Sequence, residues 1–303
     1  MNDFFNNLKR IALKKKSKII LPEINDSRII QAKEELTKLG FIIHNIDDYN
    51  ENYSNLFKYI KKKKFTKNWP ETEIKKYLDL PLNKSLALLG CGYIDAVVAG
   101  AVNSTSDILR SSLRIVGITD QSKWLSSFFL MCSKDYKTKL SFADCAVIPE
   151  PTPHQLVSIA ENTAKMHELI TQEEPKVAFL SFSTNGSASH YRVDKVKEAT
   201  EIFIKKNPHI ICEGEVQFDA AISPNIALKK NSKSNLKGQA NVLIFPNLDA
   251  GNISYKITRE LAGYHACGPL LMGLNKPVHD LSRSCSVNDI INVTIIAAIQ
   301  KSS

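Results

Sequence analysis

Short apolar runs rich in β-branched residues alternate with longer amphipathic stretches along the chain. The pairs are "KIILPE" then "DSRIIQAKEELTKLG", "DAVVAGAV" then "STSDILRSSLRIV", "KVAFLSFS" then "HYRVDKVKEATEIFIKK", and "ANVLIFPN" then "AGNISYKITRELAG". Strands that alternate with helical segments of this length build βα units. The order therefore predicts an α/β fold with mainly parallel sheets and helices on both faces.

One segment interrupts this alternation. Residues 120–147, "DQSKWLSSFFLMCSKDYKTKLSFADCAV", hold two apolar runs around a polar, charged turn, which is typical of a β-hairpin. The 303 residues are enough for about two domains of roughly 150 residues each. We therefore expect a domain boundary near this segment.

The charge balance is basic, with 40 Lys and Arg against 31 Asp and Glu and a formal net charge of +9. Only seven of the 40 are arginines, and much of the lysine lies in runs at 14–18, 61–64 and 229–237. No aromatic residues interleave with these runs, and no zinc-finger or helix-turn-helix spacing is present. The pattern favours a solvated basic face over nucleic-acid binding, and a positive field suits an anionic small substrate.

The six cysteines are scattered without C-x-x-C pairs, and no apolar region follows the first charges, so we expect a reduced, soluble, cytoplasmic protein. No apolar run approaches the roughly 20 residues that span a bilayer. Phe4, Phe5, Leu8 and Ile11 have helical spacing before a lysine run. They predict an amphipathic helix packed on the core rather than a membrane anchor.

Ligand-binding groups in such sheets collect where a strand ends and a helix begins. In "VVAGAVNSTSDILR" (97–110) the helix starts at Ser104 or Thr105, and Asp107 has capping-box spacing from Ser104. Free N–H groups and the helix dipole at this junction are suited to holding a phosphate. Capping alone explains Ser104 and Asp107, but it does not require Arg110.

Two further junctions have the same form. In residues 181–190, "SFSTNGSASH", hydroxyl side chains and Gly186 let the backbone approach an anion closely, although an ordinary βα turn has the same composition. In residues 245–256, "FPNLDAGNISYK", Asn247 and Asn252 suit turn geometry as readily as ligand contact. Neither segment alone distinguishes the two interpretations.

The fourth junction, "KPVHDLSRSCSVNDI" (276–290), holds a second possible capping box, formed by Ser286 and Asp289. That box leaves Ser282 and Arg283 unexplained. A carboxylate in the first turn of a helix is stabilised in its ionised form and is ready to accept a proton. A serine and an arginine a few residues away add a hydrogen-bond donor and a fixed cation, which suit the movement of charge between an anionic substrate and a nucleophile.

With these junctions in place, the chain resembles the phosphate acetyltransferases (phosphotransacetylases) of the phosphate acetyl/butyryltransferase family. The matching segments cover nearly the whole chain in family order. They are "LPEINDSR" (21–28), "AGAVNSTSDILR" (99–110), "FADCAVIPEPTPHQL" (142–156), "SFSTNGSASH" (181–190), "GEVQFDAA" (214–221), "ANVLIFPNLDAGNISYK" (240–256) and "GPLLMGLNKPVHDLSRSCS" (268–286).

The resemblance implies a two-domain α/β fold similar to the isocitrate and isopropylmalate dehydrogenases, with the active site in an interdomain cleft and a homodimeric assembly. The first domain would comprise residues 1–138 plus 273–303, since the chain returns to it at the C-terminus. The second would comprise residues 139–272.

The resemblance also implies reversible acetyl transfer between acetyl phosphate and coenzyme A, giving acetyl-CoA and orthophosphate. Asp289 matches the aspartate that takes the thiol proton, and Ser282 matches a serine at the reacting centre. Arg283 and Arg110 match arginines that bind phosphate and polarise the acyl group. Coenzyme A is a substrate here, and neither a permanently bound cofactor, a metal nor a covalent acyl-enzyme is implied.

Further substrate-binding positions follow from the same match: Ser104, Thr105, Ser183, Thr184, Gly186, Asn252 and Arg259. The chain departs from the family pattern before "LAG", where Glu260 replaces the usual arginine and Arg259 lies one position earlier. Asn185 stands where lysine is common, and Asn247 where aspartate is. These departures bear on substrate affinity more than on the reaction class.

Four other functions compete with acetyl transfer. A phosphate butyryltransferase would use the same chemistry on a longer acyl group. A dehydrogenase of similar fold needs an aspartate cluster for its metal, and no convincing one is present. An inactive binding or regulatory relative is disfavoured by Ser282, Arg283 and Asp289, and a Ser-His-Asp hydrolase lacks the G-x-S-x-G turn.

Overall fold

A computed structural model describes residues 3–301. The chain forms two compact units, Met1–Gln121 with Gly268–Ser303, and Ser122–Cys267. Both are mixed α/β units, so the predicted fold class is confirmed. The expected domain boundary at 138/139 falls at the end of the turn between the paired strands of a β-hairpin in the second unit. The expected boundary at 272/273 falls directly after the strand that ends at Met272.

The first unit is built on a four-stranded sheet with the order β10-β3-β1-β2, in which every neighbouring pair is parallel. Its strands are β1 (Lys18–Ile20), β2 (Ile42–His44), β3 (Ala96–Ala99) and β10 (Val278–Asp280). Its α-helices are α1 (Asp3–Lys15), α2 (Ser27–Lys38), α3 (Tyr53–Lys61), α4 (Glu71–Leu78), α5 (Pro81–Gly90), α6 (Thr105–Ile115) and α12 (Val287–Ile299), with short 3-10 helices at Ile46–Asn52 and Lys64–Thr66.

Apolar spacing explains how the two terminal helices pack. The predicted amphipathic helix is α1, which buries Phe5, Leu8 and Ala12 on one face. Helix α12 is apolar nearly all round and is buried along most of its length, as expected of a core helix. The two helices contact each other, so the C-terminal segment completes the core of the first unit.

The second unit is built on a sheet with the order β7-β6-β8-β5-β4-β9. Its strands are β4 (Ser126–Cys132), β5 (Lys139–Ala143), β6 (Lys176–Leu180), β7 (Ile211–Val216), β8 (Val242–Ile244) and β9 (His265–Met272), and the chain leaves the unit within β9. Its helices are α7 (Pro153–Thr171), α8 (Tyr191–Lys206), α9 (Phe218–Ile222), α10 (Pro224–Lys230) and α11 (Leu248–Ala262). The predicted hairpin is confirmed, because β4 and β5 pair antiparallel from Phe128 with Ala143 to Cys132 with Lys139.

The parallel order in the first unit determines where its loops gather. Strands β1, β3 and β10 are neighbours and run in one direction, so their carboxyl ends share one edge of the sheet. The loops that follow them, residues 21–26, 100–104 and 281–286, therefore lie side by side. Within residues 3–301, no helix has the length and apolarity needed to cross a membrane.

Candidate functional site

The loop between β3 and α6 is held by a carboxylate from another loop. Glu23, which is buried, accepts hydrogen bonds from the backbone N–H groups of Gly100, Ala101, Val102 and Asn103 over N···O distances of 2.7–3.0 Å. The Asn103 side chain adds another at 2.8 Å. The backbone N–H groups of residues 100–103 are therefore bonded to an anion that the protein supplies itself.

Arg28, at the start of α2, joins the same loops through backbone carbonyls. Its Nη1 donates to the carbonyl oxygens of Arg283 at 2.8 Å and Cys285 at 2.9 Å, and its Nη2 donates to that of Ala101 at 2.9 Å. Asp26 accepts from Nε at 3.0 Å and from Nη2 at 2.7 Å. This hydrogen-bonded ion pair lowers the pKa of Asp26.

The two loops also approach each other directly. Gly100 has a φ of +116°, and a Cβ at this position would lie 2.5 Å from the backbone N of Leu281. Thr105 Oγ1 donates to Asp280 Oδ2 at 2.6 Å, which links the first residue of α6 to the end of β10. Burial raises the pKa of Asp280 to about 6, and the nearby charge of Glu23 adds to the rise.

The predicted capping box at the start of α12 is confirmed. Ser286 Oγ accepts from the backbone N of Asp289 at 3.2 Å, and Asp289 Oδ2 accepts from the backbone N of Ser286 at 2.8 Å. Ser286 Oγ also donates to Oδ2 at 2.8 Å. Oδ1 of this exposed carboxylate accepts no hydrogen bond from any residue between 3 and 301 and is open to another donor.

The loop ahead of this helix presents exposed polar groups. Ser282 is exposed, and its hydroxyl lies 2.9 Å from that of Ser284. The exposed guanidinium of Arg283 makes neither a hydrogen bond nor an ion pair with the part of the chain that the structure describes. A free arginine fork is suited to a bidentate anion such as a phosphate or an acyl phosphate.

Arg110 lies on α6 beside a groove of the first unit with a volume of about 810 Å³. Its guanidinium is 3.4 Å from Asp107, and both side chains are more than half exposed, so this ion pair is weak. Arg114, one turn further along α6, lines the same groove with Tyr77. Ser104 caps α6, as predicted, by accepting from the backbone N of Asp107 at 3.2 Å.

In the second unit, the loop after β6 repeats the arrangement seen at Glu23. The buried carboxylate of Glu215 accepts from Ser183 Oγ at 3.0 Å and from the Gly186 backbone N at 2.6 Å. Thr184 is also buried, and its hydroxyl accepts from the Gln217 backbone N at 2.9 Å. These side chains are therefore committed to internal hydrogen bonds, and Gly186 again approaches an internal anion.

The remaining predicted positions lie on α11 of the second unit. Asn252 donates from its side-chain amide to the carbonyl of Cys145 at 3.0 Å. Arg259 is paired with its neighbour, because its Nε lies 2.7 Å from Glu260 Oε1 and both side chains are exposed. Asn247 caps α11 by accepting from the backbone N of Ala250 at 3.0 Å.

The predicted residues thus fall into two groups. Six share the loops and helix starts of the first unit: Ser104, Thr105, Arg110, Ser282, Arg283 and Asp289. The other five, Ser183, Thr184, Gly186, Asn252 and Arg259, belong to the second unit. Among residues 3–301, no three His, Cys, Asp or Glu side chains are grouped so as to hold a metal ion.

Sequence reasoning missed Glu23, Arg28 and Glu215 as organising residues. The signal for the first two was present, since "LPEINDSR" places charged side chains directly after β1, at a fifth strand end. Glu215 lies in β7, where a charged residue in a strand without exposed positions implies an internal partner.

The chain is similar to known proteins along most of its length. Residues 39–298 match the family model described as "Phosphate acetyl/butaryl transferase". The chain is 38% identical to the phosphate acetyltransferase of Thermoanaerobacterium thermosaccharolyticum, in an alignment that covers 94% of this chain and 95% of the relative. It is 39% identical to the phosphate acetyltransferase of Acetivibrio thermocellus, in an alignment that covers 93% of each chain. A phosphotransacetylase structure from Streptococcus pyogenes superposes with a TM-score of 0.89 at 37% identity, over 98% of each chain.

The matched range of the family model includes Ser282 and Arg283 in the loop ahead of α12 and the capping Asp289 in its first turn. The chain therefore belongs to the phosphate acetyl/butaryl transferase family.

Proposed function

We propose that this protein is a phosphate acetyltransferase, which transfers an acetyl group reversibly between acetyl phosphate and coenzyme A. The observation that carries this proposal is the 282–289 segment. It holds an exposed hydroxyl, an unpaired guanidinium and a carboxylate with one open oxygen within eight residues. The curated relatives named above carry the acetyl activity in their names, which favours acetyl over butyryl phosphate as the substrate.

The chemistry requires a base. A thiol with a pKa near 8.5 is only a few per cent ionised at neutral pH, so a carboxylate that takes its proton raises the concentration of the nucleophile. We assign this role to Asp289, whose open Oδ1 accepts the proton while Oδ2 keeps the cap of α12. The sulfur then attacks the acetyl carbonyl carbon, the C–S bond forms, and the bond from that carbon to the phosphate oxygen breaks.

Negative charge develops on the carbonyl oxygen beside an already anionic phosphate. Fixed donors that meet this charge stabilise the transition state more than the ground state. Arg283 supplies a planar fork for the phosphoryl oxygens, and Ser282 supplies a hydroxyl donor at the reacting centre. Orthophosphate leaves without a covalent acyl-enzyme, and coenzyme A is bound as a substrate rather than as a resident cofactor.

Substrate binding is assigned to further positions. Arg110 is assigned to the substrate phosphate together with Arg283, since its ion pair with Asp107 is exposed and easily exchanged. Ser104 and Thr105 belong to the same helix start. In the second unit, Ser183, Thr184, Gly186, Asn252 and Arg259 stay predicted substrate contacts. The first four also make the internal hydrogen bonds described above, which fix the local geometry of their own unit.

We also infer a homodimer in the cytoplasm. On α11, Ile253, Ile257 and Leu261 follow one another at one residue per turn and are 55%, 52% and 84% exposed. Such an apolar stripe is costly in water, and a self-complementary stripe can pack against its copy about a two-fold axis. The location rests on the scattered free cysteines, which are typical of a reducing compartment.

The test of the proposed activity is direct. Purified protein is mixed with coenzyme A and acetyl phosphate, and the absorbance of the thioester is followed; propionyl and butyryl phosphate are assayed in parallel. We expect acetyl phosphate to give the highest kcat/KM. Absence of thioester with all three acyl phosphates would contradict the proposal, and a preference for butyryl phosphate would assign the chain to the butyryl branch.

Light scattering on the same preparation measures the molecular mass of the protein, and the mass of a monomer would contradict the proposed homodimer.

A further inference from the structure

Arg28 holds the segment that carries the proposed reacting groups. We propose that Arg28 is a positioning residue for acyl transfer: its guanidinium fixes the backbone of residues 282–285 so that Ser282 and Arg283 meet the substrate in one geometry. The inference rests on the proposed function and adds a residue that touches none of the reacting atoms.

The hydrogen bonding of Arg28 is complete. A guanidinium has five N–H donors, and here the five oxygen acceptors are the two oxygens of Asp26 and the carbonyl oxygens of Ala101, Arg283 and Cys285. Cys285 Sγ also lies 3.8 Å from Nη1. The five distances to oxygen lie between 2.7 and 3.0 Å. A lysine has three donors on a single nitrogen, so it cannot serve five acceptors arranged around a planar group.

The segment has few other attachments. Leu281 donates its backbone N–H to the Ala99 carbonyl at 2.7 Å, which holds the segment at its start, and α12 holds it at its end. Between these points, the Cys285 backbone N–H bonds within the segment, to the carbonyl of Ser282 at 2.8 Å. The hydroxyls of Ser282 and Ser284 also pair with each other. Within residues 3–301, Arg28 therefore supplies the hydrogen bonds that tie the middle of the segment to another element.

The position of Arg28 is itself determined. Asp26 is the N-cap of α2, and its side chain accepts from both the backbone N and the guanidinium of Arg28. The Asp26 and Arg28 side chains are 14% and 29% exposed, so the pair is shielded enough to hold one geometry. Glu23, on the same loop, binds the amides of residues 100–103. Residues 23–28 thus bind the N–H groups of residues 100–103 through Glu23, and carbonyl groups of both neighbouring loops through Arg28.

The kinetic consequence follows from this placement. Ser282 and Arg283 act on the reacting centre, so a small displacement of their backbone lowers kcat more than it weakens the binding of coenzyme A. A misplacement of about 1 Å by a distant substitution lowers a rate by about 100-fold. We expect Arg28→Lys and Arg28→Ala to lose about that factor in kcat, with the KM for coenzyme A within about threefold of the wild-type value.

The experiment compares these two variants with Arg10→Ala, which removes an exposed arginine of α1 whose side chain, among residues 3–301, bonds only to Asn7. Each variant is assayed for thioester formation with and without millimolar guanidinium chloride, and with sodium chloride at matched ionic strength. We expect guanidinium to restore part of the kcat of Arg28→Ala, because the small cation can enter the space left by the side chain. It should not change the wild type or Arg10→Ala, and it should not rescue Arg28→Lys, whose ammonium occupies that space.

The outcomes separate the two levels of inference. A wild type that forms no thioester contradicts the proposed function, whereas an active wild type with equally active Arg28 variants overturns the positioning role alone. Loss of kcat without guanidinium rescue, or a loss that appears only in KM, also overturns it. If Arg28→Ala does not fold, Asp26→Asn is assayed instead. This substitution removes the negative charge that orients the Arg28 guanidinium. Asp26→Asn should then lower kcat with KM preserved, and wild-type kcat in that variant overturns the proposal.

Discussion

Asp289 has two separable roles in this structure, and one pair of variants distinguishes them. Its Oδ2 accepts the hydrogen bonds of the α12 capping box, while Oδ1 is the oxygen assigned to the thiol proton. Asp289→Asn keeps an acceptor for the Ser286 backbone N–H but removes the base. Ser286→Ala removes the capping hydroxyl but leaves the carboxylate in place.

The expected magnitudes differ enough to decide between the roles. Loss of an N-cap hydroxyl costs about 1 kcal/mol of stability, and loss of a negative charge at a helix N-terminus costs about 0.3–1 kcal/mol. A protein with several kcal/mol of stability stays folded after either change. Removal of a general base lowers kcat by about 10²–10⁴-fold, which corresponds to about 2.7–5.5 kcal/mol in the barrier. The capping contribution therefore cannot account for a catalytic loss of that size.

The assay measures thioester formation under saturating substrate, together with the denaturant midpoint of each variant. We expect Asp289→Asn to lose about 10²–10⁴-fold in kcat with a small change in midpoint. Ser286→Ala should lower the midpoint and keep kcat within about threefold of wild type, because its carboxylate is intact. A folded Asp289→Asn variant with near-normal turnover would leave Asp289 only its capping role. Equal catalytic losses in both variants would show that the helix start, rather than the base, determines the rate.

Three further predictions follow from the same structure. Ser282→Ala should lower kcat by up to about 10²–10³-fold. Arg283→Lys should also lower activity, because lysine lacks the planar guanidinium. A wild-type kcat/KM in both variants would show that this loop is not part of the active site. Glu260→Arg should raise kcat/KM, chiefly through KM and by more than Glu260→Gln, because it removes the partner of Arg259 and replaces an anion with a cation that attracts the anionic substrates. Saturation curves with no gain for arginine would refute this. The pKa of Asp280 is raised from 3.8 to about 6, so it favours the folded state at low pH and destabilises it as pH rises through that range. Asp280→Asn should therefore gain up to about 3 kcal/mol relative to wild type between pH 4 and 8 in denaturant titrations, and a pH-independent difference would contradict the assignment.

Much of the secondary structure could be predicted because its causes are local. The apolar runs that were assigned as strands appear as β1, β3, β6 and β8, and the amphipathic stretches after them appear as α2, α6, α8 and α11. The caps at Ser104 and Ser286 were also predictable, since a capping bond joins residues three positions apart. The hairpin of β4 and β5 was predicted for the same reason, because its turn is short.

The candidate site was only partly predictable. The sequence marked the loops at 97–110 and 276–290 and the polar side chains in them, but it did not indicate that the amides of residues 100–103 are bonded to Glu23. Glu23 binds amides 77 to 80 residues away, and Glu215 binds Gly186 across 29 residues. No local pattern specifies such a pair, because the partner of a buried carboxylate depends on which strands are neighbours in the sheet.

By itself, then, the sequence determined the helix caps and the boundaries of many elements, because these depend on residues close together in the chain. It also determined the α/β class and the family, because these depend on the order of whole segments. The tertiary structure decided which groups are free and which are occupied. Arg28 contacts carbonyls 255 and 257 residues away only because β10 lies beside β3, and β3 beside β1. The physical reason is that a hydrogen bond requires its two groups within about 3 Å, and strand order alone brings such distant residues to that distance.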